Sequence, residues 1–217
     1  MSKLEQDLWR ALDQSALIDV STMSPRRGPP GSPTAVTFRL ADSMPRRVVA
    51  RWEREARTWL ERDRAGDALI RARESYGARR RRYLEHRIDR WHDHLDAGHG
   101  RCLMKDPQVA SVVADALLIF DGERYDVERF VIMPNHVHLI VQMRPSFRLR
   151  PQSEEWLRST SRRINAMLGR RGALWHDDPV EHVVRCADRL ARIEQRIEDD
   201  PIRAGLGEGE YLFWRSG

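Results

Sequence analysis

The segment YDVERFVIMPNHVHLIVQM, residues 125–143, constrains the fold more than any other part of the chain. Its two apolar runs, 125–133 and 136–143, have the length and composition of β-strands, and Pro134-Asn135 between them is a turn signal. The second run is apolar at nearly every position, which is typical of a central strand buried on both faces. The segment therefore predicts two neighbouring strands inside a sheet.

Shorter patterns before and after this pair of strands predict further elements. These are strands over 35–40 and 179–184 and helices over 106–120, 153–169 and 187–198. Asp106 and Ser153 are the expected N-caps of the first two helices, and the last helix is expected to stop at Asp200-Pro201. The pattern predicts an α+β fold: an antiparallel sheet of about four strands with helices on one face, and a last helix packed across the site.

The first 33 residues differ in composition from the rest of the chain. A short helix is expected over 3–19, and the Pro/Gly/Ser-rich stretch 22–33 has the composition of a linker. The main domain is therefore expected to cover 34–217. Within it, residues of about 45–97 have long charged helical patterns, which predict a helical insertion after the first strand.

The chain is basic, with a formal net charge of +5 over 217 residues. A basic surplus favours a polyanionic partner, because Lys and Arg contacts release the counterions of nucleic acid. The densest basic run is Arg79-Arg80-Arg81-Arg82. It is open to two interpretations, a solvated helix face or a contact with a nucleic-acid backbone.

Three features bound the cellular setting. No apolar run approaches the roughly 20 residues that span a bilayer. The N-terminus, MSKLEQDLWRALDQ, lacks the apolar core of a signal peptide. Cys102 and Cys186 form no CxxC pair, which indicates reduced thiols. We therefore expect a cytoplasmic protein that does not associate with membranes.

His136 and His138 are the strongest chemical signal in the sequence. Residues i and i+2 of a strand point to the same face, so the two imidazoles are expected side by side, facing an open groove. Two adjacent imidazoles suit a divalent transition metal and tolerate Mg²⁺-type roles. The alternative is a pair of structural histidines whose ring nitrogens are satisfied by backbone groups.

The segment FVIMPNHVHLIV resembles the HUH signature of the single-tyrosine transposases, in particular the REP-associated tyrosine transposase branch. Three other stretches resemble the same family in the same order: VTFRLADSMPRR, INAMLGRRGALWHDDPVEHVVR and DDPIRAGL. The resemblance covers roughly residues 34–206. It implies a ferredoxin-like HUH domain that acts on single-stranded or hairpin DNA in DNA transposition, as a monomer or a homodimer.

The resemblance also implies a chemistry. A divalent metal, Mg²⁺ or Mn²⁺, held by the His pair would withdraw charge from the scissile phosphate. A tyrosine on the last helix would attack that phosphate and form a covalent 5′-phosphotyrosine link. Family members bind imperfect palindromic hairpins, so the expected partner is hairpin DNA with adjacent single-stranded sequence.

This sequence departs from the family at the nucleophile. The position five residues before Pro201, where the resemblance places the tyrosine, is Arg196. The four tyrosines of the chain are Tyr76, Tyr83, Tyr125 and Tyr211. The position of the third metal ligand is Asp200, a carboxylate that suits a hard cation, although it is also open to interpretation as a helix terminator before Pro201.

Three functional hypotheses follow. The first is a metal-dependent DNA strand-cleaving enzyme that uses a relocated tyrosine, or a metal-bound water in place of the tyrosine. The second is a catalytically silent hairpin-binding protein. The third is a zinc-stabilised interaction domain, for which the visible ligands fall short of four. The residues expected to contact DNA are Arg79, Arg80, Arg81, Arg82, Arg162, Arg163, Arg170, Arg171 and Arg196.

Overall fold

The computed structural model describes residues 31–65, 76–177 and 179–217. The strands are β1 (Pro33–Arg39), β2 (Tyr125–Ile132), β3 (His136–Met143), β4 (Val180–Val183) and β5 (Leu212–Arg215). The helices are α1 (Arg46–Ala65), α2 (Tyr76–Asp96), α3 (Pro107–Leu118), α4 (Leu149–Met167) and α5 (Ala187–Arg203), with a 3₁₀ turn at Leu103–Lys105. The helix expected over 3–19 lies outside the described residues.

The five strands form one antiparallel sheet in the order β4-β1-β3-β2-β5. The α+β class and the antiparallel sheet are confirmed, and so is the central place of β3. The fifth strand was not expected; it is formed by the C-terminal segment, where Trp214 stacks on Phe130 with ring centroids 5.4 Å apart. This stacking attaches a short edge strand to β2 through aromatic contact as well as backbone bonds.

One face of the sheet carries the main apolar core, which α3 and α4 cover. Asp106 caps α3 as expected, since its carboxylate accepts the backbone N–H of Gln108 at 2.9 Å and Pro107 occupies the first turn. Tyr125 and Trp156 join the sheet to α4, with a hydrogen bond of 3.1 Å from the Trp156 indole to the Tyr125 hydroxyl.

The opposite face of the sheet packs against α5 through a smaller apolar cluster of Val131, Met133, Ile140 and Ile197. The expectation of helices on one face was therefore wrong. Because the sheet is central and buried, both of its faces need a cover, and β3 is apolar on both.

Arg129 attaches α5 to this second face. Its guanidinium bonds Glu194 and Glu198 of α5, each at 2.6 Å, and its side chain is largely buried. Arg129 faces α5 because the β2–β3 register shifts between Val127 and Arg129, so that Glu128 is an extra residue in β2. Val127 faces the main core before this bulge, and Phe130 faces it after.

Two helix boundaries differ from the prediction. Helix α4 begins at Leu149 rather than Ser153, so Pro151 lies in its first turn. Proline is tolerated there because the N–H group that it lacks would have no intrahelical hydrogen-bond partner. Helix α5 continues through Pro201 to Arg203, and its last turn is closed by the bond from Ala204 N–H to the Asp200 carbonyl at 2.9 Å. Asp200 therefore lies inside the helix and does not end it.

The chain divides into two compact units. The first contains Met44–His94, and the second joins the segment ending at Ser43 to Leu95–Gly217. Within the first unit, Trp59 stacks on Tyr83 with centroids 4.2 Å apart, and Arg90 bonds Glu55 at 2.7 Å. None of the described helices combines the length and apolar character that a bilayer crossing requires.

Candidate metal centre

His136 and His138 lie next to each other on the face of β3 that α5 covers. Their ring centroids are 4.7 Å apart and their planes make an angle of 74°. Because the two histidines are two positions apart on a strand, both rings lie on the same face of the sheet. Both side chains are buried, so the expectation of rings facing an open groove was wrong for this structure.

Asn135 orients the His136 ring. The Asn135 amide Nδ2 donates to the His99 carbonyl at 3.0 Å, which leaves Oδ1 directed at His136 Nδ1, 2.7 Å away. An amide oxygen only accepts, so Nδ1 of His136 carries the proton and Nε2 carries a lone pair. Nε2 is then the nitrogen available to a metal, and it lies 3.6 Å from Oδ1 of Asp96.

His138 has a similar pair of neighbours. Its Nδ1 lies 2.8 Å from the hydroxyl of Thr37, the residue directly across from it on β1. Its Nε2 lies 3.4 Å from Oδ2 of Asp200, which α5 brings over the sheet. Each imidazole is therefore held at Nδ1 by a neutral polar group and faces a carboxylate at Nε2.

Arg196 lies between the two carboxylates. Its Nε is 3.3 Å from Oδ1 of Asp200, one helical turn further along α5, and its Nη2 is 3.6 Å from Oδ2 of Asp96. The exposed fraction of the side chain is 23% for Arg196, against 8% for Asp96 and 0% for Asp200. Arg196 is thus the most exposed member of the cluster formed by His136, His138, Asp96, Asp200 and Arg196, here called the acid–histidine cluster.

Burial sets the protonation of this cluster. It lowers the pKa of His136 to about 3, with Arg196 adding to the effect, so the imidazole is neutral at physiological pH. It raises the pKa of Asp200 to about 7, although Arg196 acts in the opposite direction. Neutral imidazoles and a carboxylate that ionises near neutral pH are the forms that bind a cation.

The two His–Asp pairs of the cluster are spaced more widely than hydrogen-bonded partners. Distances of 3.4 and 3.6 Å between imidazole nitrogen and carboxylate oxygen exceed those of ordinary hydrogen bonds. Adjacent ligands at about 2.1 Å from a metal are themselves about 3.0 to 3.4 Å apart. Among the residues that the structure describes, Nε2 of His136 and both carboxylate oxygens of Asp200 make no hydrogen bond.

The ligands are nevertheless grouped as pairs. Within residues 31–65, 76–177 and 179–217, no set of three His, Cys, Asp or Glu side chains is arranged to hold an ion as it stands. The residues present fit a divalent cation in kind, and binding one would require the two His–Asp pairs to move closer together.

The expected DNA-contacting arginines are spread over different parts of the fold. Arg162 and Arg163 lie on α4, which covers the face of the sheet opposite the acid–histidine cluster, and Arg163 pairs with Asp115 at 3.3 Å. Arg170 and Arg171 follow α4 in a loop. Arg79 to Arg82 belong to α2 in the first unit, where Arg79 is half-buried and the side chains of Arg80, Arg81 and Arg82 lie outside those described.

The tyrosines differ in their surroundings. Tyr125 is fully buried against Trp156 on the main-core face, and Tyr83 is stacked on Trp59 in the first unit. Tyr211 packs against the apolar cluster under α5, the face that carries the His pair. The side chain of Tyr76 is not among those described.

Sequence reasoning missed three members of this neighbourhood: Asp96, Thr37 and Asn135. Asp96 ends α2 in the stretch WHDHLDAGHG, where many charged residues concealed the one acid that is buried. Thr37 was detectable in principle, because β1 aligns antiparallel with β3 and pairs it with His138. The sequence around Asn135 indicates only a turn.

No family model and no curated protein sequence matches this chain. Two solved structures are similar to it. One is a REP-associated tyrosine transposase bound to a REP hairpin, at 12% identity and a TM-score of 0.46, covering 86% of this chain and 76% of that one. The other is a candidate transposase from Deinococcus radiodurans R1, at 12% identity and a TM-score of 0.40, covering 82% of this chain and 98% of that one.

Proposed function

We propose that this protein binds single-stranded or hairpin DNA and that its acid–histidine cluster holds a divalent metal, Mg²⁺ or Mn²⁺, for metal-dependent strand cleavage. The observation that carries the proposal is the geometry of His136 and His138, each of which faces a buried carboxylate at 3.4 to 3.6 Å. In His136 the nitrogen that faces Asp96 carries a lone pair, which repels a carboxylate oxygen, so this pair favours a cation or a proton between its two atoms.

The charge of the cluster suits a phosphodiester. With both acids ionised and both imidazoles neutral, as metal ligands must be, Asp96 and Asp200 contribute two negative charges and Arg196 one positive charge. A divalent cation would more than offset this net charge of −1 with Arg196 in place, and would balance the two acids with Arg196 displaced. In both cases the cluster loses the net negative charge that would repel a phosphate group in a largely buried setting, where electrostatic interactions are strong.

The residues divide into ligands and supports. His136, His138, Asp200 and Asp96 would hold the metal, which when bound withdraws charge from the scissile phosphate. Asn135 and Thr37 fix the two rings through their Nδ1 atoms. The substrate class comes from the sequence, whose HUH-like segment resembles that of hairpin-cleaving transposases, and from the basic net charge of +5.

The direct test is incubation of a labelled single-stranded hairpin with the protein and Mn²⁺. Cleavage that disappears in His138→Ala and persists in His86→Ala, an exposed histidine of α2, would support the proposal. A Tyr211→Phe variant tests whether any covalent adduct forms on the tyrosine of the same sheet face. Absence of both a nick and an adduct would eliminate the strand-cleaving activity.

A second candidate function is a catalytically silent hairpin-binding protein. It is favoured by Arg196, which stands at the position expected for the nucleophile and pairs with both acids. A guanidinium binds phosphate but does not attack it. This candidate predicts hairpin binding without cleavage. The logarithm of the binding constant should fall by about 0.7 per phosphate contact for each tenfold rise in salt concentration.

A further inference from the structure

Two arginines on the α5 side of the sheet pair with acids in different ways. Arg129 bonds Glu194 and Glu198 at 2.6 Å each, the length of strong charge-assisted hydrogen bonds. Arg196 approaches Asp200 and Asp96 only to 3.3 and 3.6 Å, and its Nε and Nη2 make no hydrogen bond to any described residue. Through these two nitrogens Arg196 therefore compensates the charge of the acids without a hydrogen bond to either of them.

The burial of the two acids that Arg196 approaches favours a nearby cation when they are ionised. Both carboxylates are almost completely buried, and an ionised carboxylate in such surroundings is costly unless it is paired. They come from separate parts of the chain, Asp96 from the end of α2 and Asp200 from α5. A positive group between them offsets both charges at once.

We infer that Arg196 is an internal counter-ion that occupies the place of a divalent cation between Asp96 and Asp200, so that metal binding and Arg196 compete for the same acids. The inference rests on the metal site of the proposed function and states that Arg196 regulates metal binding at that site. A metal ion entering the acid–histidine cluster displaces a guanidinium whose Nε and Nη2 make no hydrogen bond to either acid and which is already the most exposed member of the cluster.

A purely structural Arg196 has different consequences. If it only held α5 in place, its removal would lower stability and loosen the ligands, so metal affinity would fall or stay unchanged. If Arg196 instead competes with the metal, its removal should raise the metal affinity, because a divalent ion can then neutralise the two buried acids. The two roles therefore agree on the stability of the metal-free protein and differ in the sign of the change in metal affinity.

The test measures Mn²⁺ affinity by titration calorimetry on the full chain, together with the thermal unfolding of the metal-free and Mn²⁺-saturated protein. The variants are Arg196→Gln, which keeps length and polarity but removes the charge, and Arg196→Lys, which keeps the charge. Arg192→Gln is the matched control, since Arg192 is an exposed residue one turn earlier on α5.

We expect Arg196→Gln to bind Mn²⁺ at least about tenfold more tightly than the wild type, a difference of about 1.4 kcal/mol. The metal-free form of this variant should unfold at a lower temperature than the metal-free wild type. Mn²⁺ should raise the unfolding temperature of the variant by more than it raises that of the wild type. Arg196→Lys should lie between the two, and Arg192→Gln should match the wild type.

Unchanged or weaker Mn²⁺ binding by Arg196→Gln would overturn the inference, as would failure of that variant to bind Mn²⁺ at all. If Arg196→Lys binds Mn²⁺ more tightly than Arg196→Gln, charge competition is also excluded. Failure of the proposed function is distinguishable. Tight Mn²⁺ binding by Arg196→Gln without any hairpin binding by either protein would reject the DNA role and leave the counter-ion in place.

Discussion

Asn135 determines which nitrogen of His136 carries the proton, because its Oδ1 lies 2.7 Å from Nδ1 while its Nδ2 is committed to the His99 carbonyl. We expect Asn135→Ala to weaken Mn²⁺ binding by about tenfold to a hundredfold, since the ring would lose the group that directs Nε2 at the acids. Calorimetric titration measures this change.

Asn165→Ala is the control for that variant. Asn165 also donates its amide to a backbone carbonyl, that of Gly172 at 2.9 Å, but it lies on α4 on the other face of the sheet. Its removal should leave Mn²⁺ affinity unchanged. Equal losses in the two variants would mean that Asn135 acts on stability alone.

Asp200 should make stability depend on pH. Its folded-state pKa of about 7 lies above the ordinary value of 3.8. The contribution of protonated Asp200 to the free energy of unfolding is therefore full below pH 3.8 and is lost as the pH rises through 7. The wild type should therefore lose about 2 kcal/mol relative to Asp200→Asn between pH 5.5 and 8. Comparing the two proteins by urea unfolding cancels the opposite contribution of His136, whose pKa is lowered.

The same ionisation predicts how metal affinity varies with pH. Because the carboxylate must lose its proton to bind a cation, Mn²⁺ affinity of the wild type should rise between pH 6 and 8. Asp200→Asn should bind more weakly and show a smaller rise. A wild-type affinity that is flat across this range would show that Asp200 does not bind the ion as a carboxylate.

The Arg129 pairs should matter more for stability than an exposed pair of similar length. Arg129→Met removes two bonds to α5 from a largely buried position, and we expect a loss of about 2 to 3 kcal/mol in the free energy of unfolding. Arg144→Met removes the exposed 2.7 Å pair with Asp126, for which about 0.5 kcal/mol is expected. Chemical denaturation of both variants gives the comparison.

The arginines of α4 should be separable from the acid–histidine cluster. Arg162→Ala/Arg163→Ala should leave Mn²⁺ affinity unchanged, because α4 lies on the opposite face of the sheet. If both residues contact phosphates, the slope of hairpin affinity against salt should fall by about 1.4, at about 0.7 per contact. An unchanged slope would remove them from the DNA-binding surface.

The sequence was most informative where periodicity and function coincide. Strand β3 occupies the residues expected for it, and His136 and His138 share a face because alternation along a strand leaves no other arrangement. The resemblance predicts Asp200 as a metal ligand, and α5 brings its Oδ2 to 3.4 Å from Nε2 of His138.

The misses have physical causes. Pro201 is a probable helix end in any sequence, yet here it is buried and the helix continues around it, so tertiary packing outweighed the local preference. Asp96 could not be separated from its exposed charged neighbours without knowing where α2 ends. The orientation of Arg196 depends on two acids distant in sequence, which no local pattern contains.

The bulge at Glu128 has a consequence for what the gene can tolerate. One extra residue exchanges the faces of β2, so that Arg129 is directed at α5 while Phe130 enters the main core. If Glu128 were paired in simple alternation instead of bulging, the guanidinium of Arg129 would be directed toward the apolar core. Deleting Glu128 would keep Arg129 and Phe130 on their present faces, because their partners on β3 directly follow the partner of Val127. The strand should therefore tolerate the loss of this residue better than its incorporation into the regular ladder.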